Sequence, residues 1–380
     1  MSPPTHPRPR RQGATVVRRH DHLFAQVANF AALHSAAQRA VAGKRKKLGA
    51  AAFFANLEGE LLRLERELQD QSYRTGRYLE IMVRDPKRRL VSAAPFRDRV
   101  VHHALFAAIG PIFERGFIDD SYANRTGKGT HRALVRYEHY RDRYRHVLRA
   151  DIYRYFPSID HAVLKADLRR RIACKRTLAL CDTIIDGSNP QEEVLLHFAG
   201  DDLLTPLERR RGLPLGNLTS QFFANVYLDG FDHFCKEVLR APYVRYVDDF
   251  ALFSDNPMDL QAWRQRAADY LAKRRLALHP AKTMVVRTAE PAQFLGFVAF
   301  ADGHRRLPAA NVTRFVHRLR ALRCAWRAGH VSEHAVRQRV GAWVAHARHA
   351  NTVQLRHTLF AGGWFDPLWA DGSPAKACMP

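Results

Sequence analysis

Cysteine is sparse: the 380 residues contain five, at positions 174, 181, 235, 324 and 378. No two form a C-x-x-C pair, so the spacing supports neither a zinc site nor a disulfide framework, and reduced thiols are expected. Long apolar runs are missing too. No unbroken apolar stretch approaches the ~18 residues of a helical membrane span, so no membrane partner is expected. The opening stretch, MSPPTHPRPRRQGATVVRRH, lacks the apolar core of a secretory signal and reads as a solvated basic tail. These absences point to a cytoplasmic protein. Internal repeats are absent, as is low complexity beyond the tail. Acidic side chains are also few: 37 Asp and Glu face 61 Lys and Arg, a formal net charge of +24. So large an excess predicts a polyanionic partner, nucleic acid or an acidic membrane surface. With 46% hydrophobic residues, the chain can build two or three packed subdomains.

A phosphate-binding loop is excluded as well. Gly127-Lys128-Gly129-Thr130 lacks the upstream glycine and the Lys-Ser/Thr adjacency that such a loop needs. Helical periodicity runs over 21–42 and 50–70, with the basic run Lys44-Arg45-Lys46-Lys47 between them. RYLEIMVRDPKRRLVSAAPF has β-prone stretches on both sides of Asp85-Pro86 and predicts a hairpin. Helices are expected over 98–114 and 131–144. YRHVLRADIYRYF reads as an apolar strand reaching Asp151. Helices then fill about 160–186, and 187–212 reads as a loop insertion. RGLPLGNLTSQFFANVYLDGFDHFCKEVL passes from a Gly/Pro turn into a helix. Beyond Leu307 the chain is helical and basic, with eleven arginines and one acid over residues 305–360.

Against this background YVRYVDDFALF, residues 243–253, is anomalous, because it sets two adjacent acids between apolar segments. Two β-prone halves around Asp248-Asp249 predict a hairpin with the acids at its tip. A solvent-facing turn also favours Asp. Asp151 tips the balance, since it too ends an apolar strand, and strand and hairpin can lie side by side in one antiparallel sheet. Three carboxylates then converge at one sheet edge, where their repulsion calls for cations. Two Mg²⁺ ions about 4 Å apart supply that compensation, activate a 3′-hydroxyl and stabilise a departing pyrophosphate.

The segments DIYRYFPSIDH, RGLPLGNLTSQFFANVYL and YVDD resemble, in order and spacing, the successive palm motifs of reverse transcriptases. The likeness runs from about Phe30 to Phe360. It implies an α+β fold: a right-hand polymerase with fingers, a palm whose antiparallel sheet is flanked by helices, and an all-helical thumb. Its parts are expected as a basic tail (1–20), N-terminal helices and fingers (21–145), palm (146–306), thumb (307–362) and C-terminal tail (363–380).

The resemblance also implies roles. Asp151, Asp248 and Asp249, with the backbone carbonyl of Ile152, correspond to the ligands of two Mg²⁺ ions, for which Mn²⁺ can substitute. Phe156 corresponds to the aromatic that excludes a 2′-hydroxyl, and Lys87 and Arg89 to fingers residues holding the dNTP triphosphate. Gly216 and Gln221 fall beside the nucleotide and templating base. Arg125 and Lys128 lie in the segment similar to the family's template contact, and Gly296 in FLGF matches the primer-grip turn. Lys282 matches a lysine proposed as general acid toward pyrophosphate. The arginine-rich helices suit contact with template–primer phosphates.

The expected function is RNA-directed DNA synthesis from a primed RNA template, with dNTPs as substrates and cDNA as product. The form Leu215-Gly216-x-x-x-Ser220-Gln221 resembles reverse transcriptases of diversity-generating retroelements, which implies adenine-directed errors and a small basic pentameric accessory protein. A group II intron-like or phage-defence reverse transcriptase is the alternative. A non-catalytic RNA-binding protein on a polymerase scaffold is a third reading, but it would have no use for the acids.

Overall fold

The computed structural model describes residues 19–84, 88–361 and 363–364. Lys87 and the Asp85-Pro86 turn lie outside the described residues, as does the N-terminal tail through residue 18. The chain forms two compact units, each built from separated segments.

The first unit takes the residues up to Ile118, Tyr153–Asp232 and Tyr270–Ala277. Its opening helix is shorter than the periodicity suggests, running Phe30–Val41 after a 3₁₀ turn at Phe24–Gln26. Asn29 sets the start: its extended backbone is non-helical, and its side-chain oxygen accepts the Ala32 N–H at 2.9 Å. The helix expected over 50–70 likewise divides into Leu48–Ala55 and Leu57–Gln69, because Asn56 leaves the helical region. Leu33, Ala36, Ala37 and Ala40 are buried where the first helix packs on helix Phe96–Glu114, small residues allowing close approach. Strands β1 (Leu79–Val83) and β2 (Arg89–Ala93) form the expected hairpin, in register from Leu79↔Ala93 to Val83↔Arg89. Helices His161–Arg171 and Lys175–Asp186 follow, and residues 187–212 hold only the short helical turn Thr205–Glu208. Helix Leu218–His233 buries Phe222, Phe223, Val226, Tyr227, Leu228 and Phe231, more than one stripe, as suits a helix inside a core.

The second unit takes Asp119–Ile152, His233–Asp269 and the residues from Leu278 on. Its main sheet comprises β3 (His146–Asp151), β4 (Tyr243–Tyr246), β5 (Asp249–Ser254) and β6 (Met284–Arg287) in the order β4-β5-β3-β6, antiparallel throughout. Consecutive residues Phe250, Ala251, Leu252 and Phe253 are all buried, so β5 is covered on both faces. Helix Thr130–Arg141 contributes Ala133, Leu134, Tyr137 and Tyr140 to this core, where Tyr137 stacks on Phe294 at 4.4 Å. A smaller sheet joins β7 (Ala292–Phe294), β8 (Phe297–Ala299) and β9 (Arg305–Arg306). Beyond it come helices Ala309–Arg327, Glu333–Ala347 and Val353–Phe360, with Phe315 stacked on Trp343 at 3.8 Å.

Cys174, Cys181 and Cys235 are buried free thiols. Cys378 lies outside the described residues. No described helix is long and apolar enough to cross a membrane.

Candidate active site

The acidic hairpin forms, but its turn is shifted by one residue from the sequence reading. Tyr246 pairs with Asp249, so the two loop residues are Val247 and Asp248. Val247 takes φ +58°, at the first loop position, where type II′ turns favour glycine. A β-branched residue there is strained. Arg245, only 1% exposed, holds the loop in place. Its guanidinium donates to the Val247 carbonyl at 2.9 Å and to the Ser121 hydroxyl at 3.0 Å. Its backbone is fixed as well, the N–H donating to Asp120 O at 2.9 Å and the carbonyl accepting Tyr122 N–H at 3.0 Å.

The shifted turn places Asp249 inside the ladder, directly opposite Asp151 on β3. Asp248 stays in the loop, and its carbonyl accepts the Ile152 N–H at 3.1 Å. Asp151, 6% exposed, receives the Lys282 ammonium at 2.6 Å on its carboxylate, while its backbone carbonyl accepts His279 N–H at 2.7 Å. Asp151, Asp248, Asp249, Ile152 and Lys282 therefore belong to one unit and one corner of its sheet.

Burial is the first cause that pushes the Asp249 carboxyl up, to about 7, and the Asp248 and Asp151 carboxylates add to it while Lys282 opposes. A carboxyl so raised sits in a field that a divalent cation would relieve, and the donors are the hard oxygens that Mg²⁺ prefers. Among the described residues, no group of three His, Cys, Asp or Glu side chains stands ready as a metal cluster. What is built is the Asp151–Asp249 pair with Asp248 beside it.

The other unit holds a second group of candidates. Phe156 is half-buried, its ring edge-on to Tyr155 at 5.6 Å, and its carbonyl accepts Leu213 N–H at 3.0 Å. Gly216 has φ +106°, and a Cβ there would meet Val91 Cγ1 at 3.0 Å, so both conformation and contact with β2 require glycine. Gln221 is half-buried near the start of helix Leu218–His233. Arg89 is exposed at the first position of β2. Sequence reasoning missed Asn217, which ties this group together. Its buried amide accepts Ala94 N–H at 3.1 Å and donates to Ser92 O at 2.8 Å and to Pro214 O at 3.2 Å. Ser92 N–H in turn donates to Leu215 O at 2.9 Å. Arg245 was also missed, although an arginine between valine and tyrosine in an apolar strand was a usable signal.

The remaining candidates lie in the second unit. Arg125 donates to Ser121 O at 2.8 Å, and Lys128 donates to Asp119 O at 2.8 Å while its ammonium lies over the Tyr122 ring. Both cations thus fold back on their own loop. Leu295 (φ +49°) and Gly296 (φ +85°) form the two-residue turn between β7 and β8.

The family model described as reverse transcriptase (RNA-dependent DNA polymerase) matches residues 83–299, more than half of the chain. The chain belongs to the reverse transcriptase family. Asp151, Phe156, Gly216, Gln221, Asp248, Asp249, Lys282 and Gly296 all fall within the matched span. Protein YkfC of Escherichia coli K12 is 28% identical over 190 residues, which is 48% of this chain and 47% of YkfC. The chain thus spans about half the length of that relative. Among solved structures, telomerase from Candida albicans, in complex with a fragment of telomeric RNA, aligns at TM-score 0.44 with 15% identity over 62% of this chain and 46% of its own. Apo telomerase from Candida tropicalis, truncated of its C-terminal domain, aligns at TM-score 0.42 with 12% identity over 64% and 59%.

Proposed function

We propose that this chain is an RNA-directed DNA polymerase, copying a primed RNA template into cDNA from dNTPs. The observation that carries the reading is the pairing of Asp151 with Asp249 across β3 and β5, with Asp248 at the turn, inside the span that matches reverse transcriptases. In this reading Asp151, Asp248, Asp249 and the Ile152 carbonyl hold two Mg²⁺ ions, or Mn²⁺. Bound there, the metal lowers the pKa of a primer 3′-hydroxyl and offsets charge on the leaving pyrophosphate. Lys282, whose ammonium donates to the Asp151 carboxylate, is the candidate proton donor to pyrophosphate. Lys87 and Arg89 hold the triphosphate by charge-assisted hydrogen bonds. Phe156 excludes a 2′-hydroxyl by bulk, Gly216 and Gln221 border the nucleotide, and Arg125, Lys128 and Gly296 contact template or primer.

The finer role is mutagenic cDNA synthesis in a diversity-generating retroelement, working with a small basic pentameric protein. Its support is the Leu215-Gly216-x-x-x-Ser220-Gln221 form alone.

Primer extension on a primed RNA tests the activity. Asp248→Ala is expected to lower the rate about 1,000-fold or more, as loss of a metal-borne step implies; equal signal from both proteins would sink the mechanism. Sequencing the cDNA, with and without the neighbouring gene products, tests the finer role. Errors concentrated opposite template adenines are expected, and faithful copying there would remove it.

A further inference from the structure

The Val247–Asp248 turn is tied to residues far from it in the chain. Ser121 forms an isolated parallel bridge with Arg245, 124 positions away, so the segment around Ser121 runs beside β4. A second tie flanks the turn. The Thr130 hydroxyl donates to the Tyr246 hydroxyl at 3.0 Å, and Tyr246 is the residue paired with Asp249. The segment is itself anchored. Asp120 is 3% exposed, and its carboxylate pairs with Arg136 and Lys236, each at 2.7 Å. Gly129 N–H closes the loop onto the Tyr122 carbonyl at 2.9 Å.

Within this frame three hydrogen bonds run in series. Arg125 donates to the Ser121 carbonyl at 2.8 Å. Arg245 donates to the Ser121 hydroxyl at 3.0 Å and again to the Val247 carbonyl at 2.9 Å. That last carbonyl belongs to the peptide bond joining Val247 to Asp248. Ser121 and Arg245 are each 1% exposed, and a buried network with its bonds made fixes one geometry. Val247 at φ +58° keeps a strained backbone only while its surroundings hold it. Loss of the Ser121 hydroxyl therefore loosens the Arg245 fork and lets the Asp248 carboxylate shift relative to Asp249 and Asp151. Arg125 has five N–H donors, so it can take a phosphate while one donor stays on Ser121.

We propose that Ser121 is a positioning residue for the metal site, and that the series Arg125–Ser121–Arg245–Val247 links the loop assigned to the template with the Asp248 carboxylate. The inference rests on the proposed reading of Asp151, Asp248 and Asp249 as metal ligands and of Arg125 as a template contact.

Titration of Mn²⁺ into the full chain without nucleic acid, followed by the electron paramagnetic resonance of the free ion, tests this. Ser121→Ala changes no charge and no proposed ligand. It is expected to weaken Mn²⁺ binding about tenfold, the size typical when a group that orients metal ligands is lost. Arg125→Gln reads the series without disturbing the buried serine. Removing a cation by itself strengthens Mn²⁺ binding, whereas breaking the series weakens it, here by about threefold. Lys128→Gln removes the same charge from the same loop without a bond to Ser121, and is expected to strengthen binding slightly. The double variant Ser121→Ala/Arg125→Gln is expected to bind no more weakly than Ser121→Ala, because one broken link already severs the series. Wild-type affinity in Ser121→Ala, an Arg125→Gln that matches Lys128→Gln, or additive losses in the double variant would each overturn the proposal. Absence of Mn²⁺ binding in the wild type, or binding undiminished in Asp248→Ala, would instead remove the metal reading and this inference with it.

Discussion

Val247 holds a positive φ that costs a β-branched residue about 1–3 kcal/mol, and the Arg245 clamp on its carbonyl is what sustains it. Val247→Gly is therefore expected to raise stability by about 1 kcal/mol, seen as a higher urea midpoint at unchanged m-value. A fall instead would show that the valine side chain contributes more by packing than the backbone costs. The acids at this turn were legible in the sequence, because adjacent carboxylates between apolar segments have few uses. The one-residue shift was not, since local preference places valine in the strand and only the distant Ser121 and Arg245 contacts reverse that. His102 is a second residue whose behaviour follows from its surroundings. It is 1% exposed, with both ring nitrogens buried without hydrogen bonds, and burial first, then His103 and Arg99, lower its pKa from 6.5 to about 3. The unfolded chain binds a proton below pH 6.5 that the native chain refuses until about pH 3. Its stabilising contribution is thus complete above that upper value and lost as pH falls, about 2 kcal/mol by pH ~5. His102→Leu is expected to flatten the acid side of the stability profile, checked by urea melts at neutral and mildly acidic pH.

The β1–β2 hairpin depends on a partner distant in sequence. Asn217 bonds the backbone at Ser92 and Ala94, and Ser92 returns a bond to Leu215, so the Gly216 turn and β2 form one braced piece. Asn217→Ala removes the amide from two buried carbonyls, of Ser92 and Pro214, and from the buried Ala94 N–H. A loss of about 2–4 kcal/mol is expected, with faster hydrogen exchange at the β2 amides; exchange unchanged there would mean that the hairpin stands without this brace. Periodicity captured the existence of almost every element because apolar spacing reports burial directly. It missed the ends at Asn29 and the break at Asn56, since the 3.6-residue pattern continues through both and only cap geometry marks them. Residues 187–212 were readable as non-periodic, and the stretch holds only the short helical turn Thr205–Glu208.

Charge is the property that belongs to the chain as a whole. A net +24 was visible at once, but composition alone does not say which cations are spent inside the fold. Many are: Lys236 and Arg136 pair with buried Asp120, Arg274 with Asp167, and Arg305 with Glu138. The arginines of the C-terminal helices are used differently. Arg320, Arg339 and Arg348 are exposed on helices whose only acid, Glu333, pairs with Arg337. Cations left in water bind polyphosphates by releasing counterions, so under the proposed function affinity for a primed template is expected to fall steeply with salt. Each phosphate contact contributes a slope of about −0.9 in log affinity against log salt concentration. Arg320→Gln and Arg339→Gln are accordingly expected to reduce the magnitude of that slope by about one each, equally for unrelated template sequences. Fluorescence anisotropy of a labelled RNA–DNA primer duplex across a salt series checks this, with Asp248→Ala as the control whose slope should not fall. Slopes that stay at the wild-type value in both arginine variants would place the nucleic acid on another surface and leave these helices with a role in packing alone.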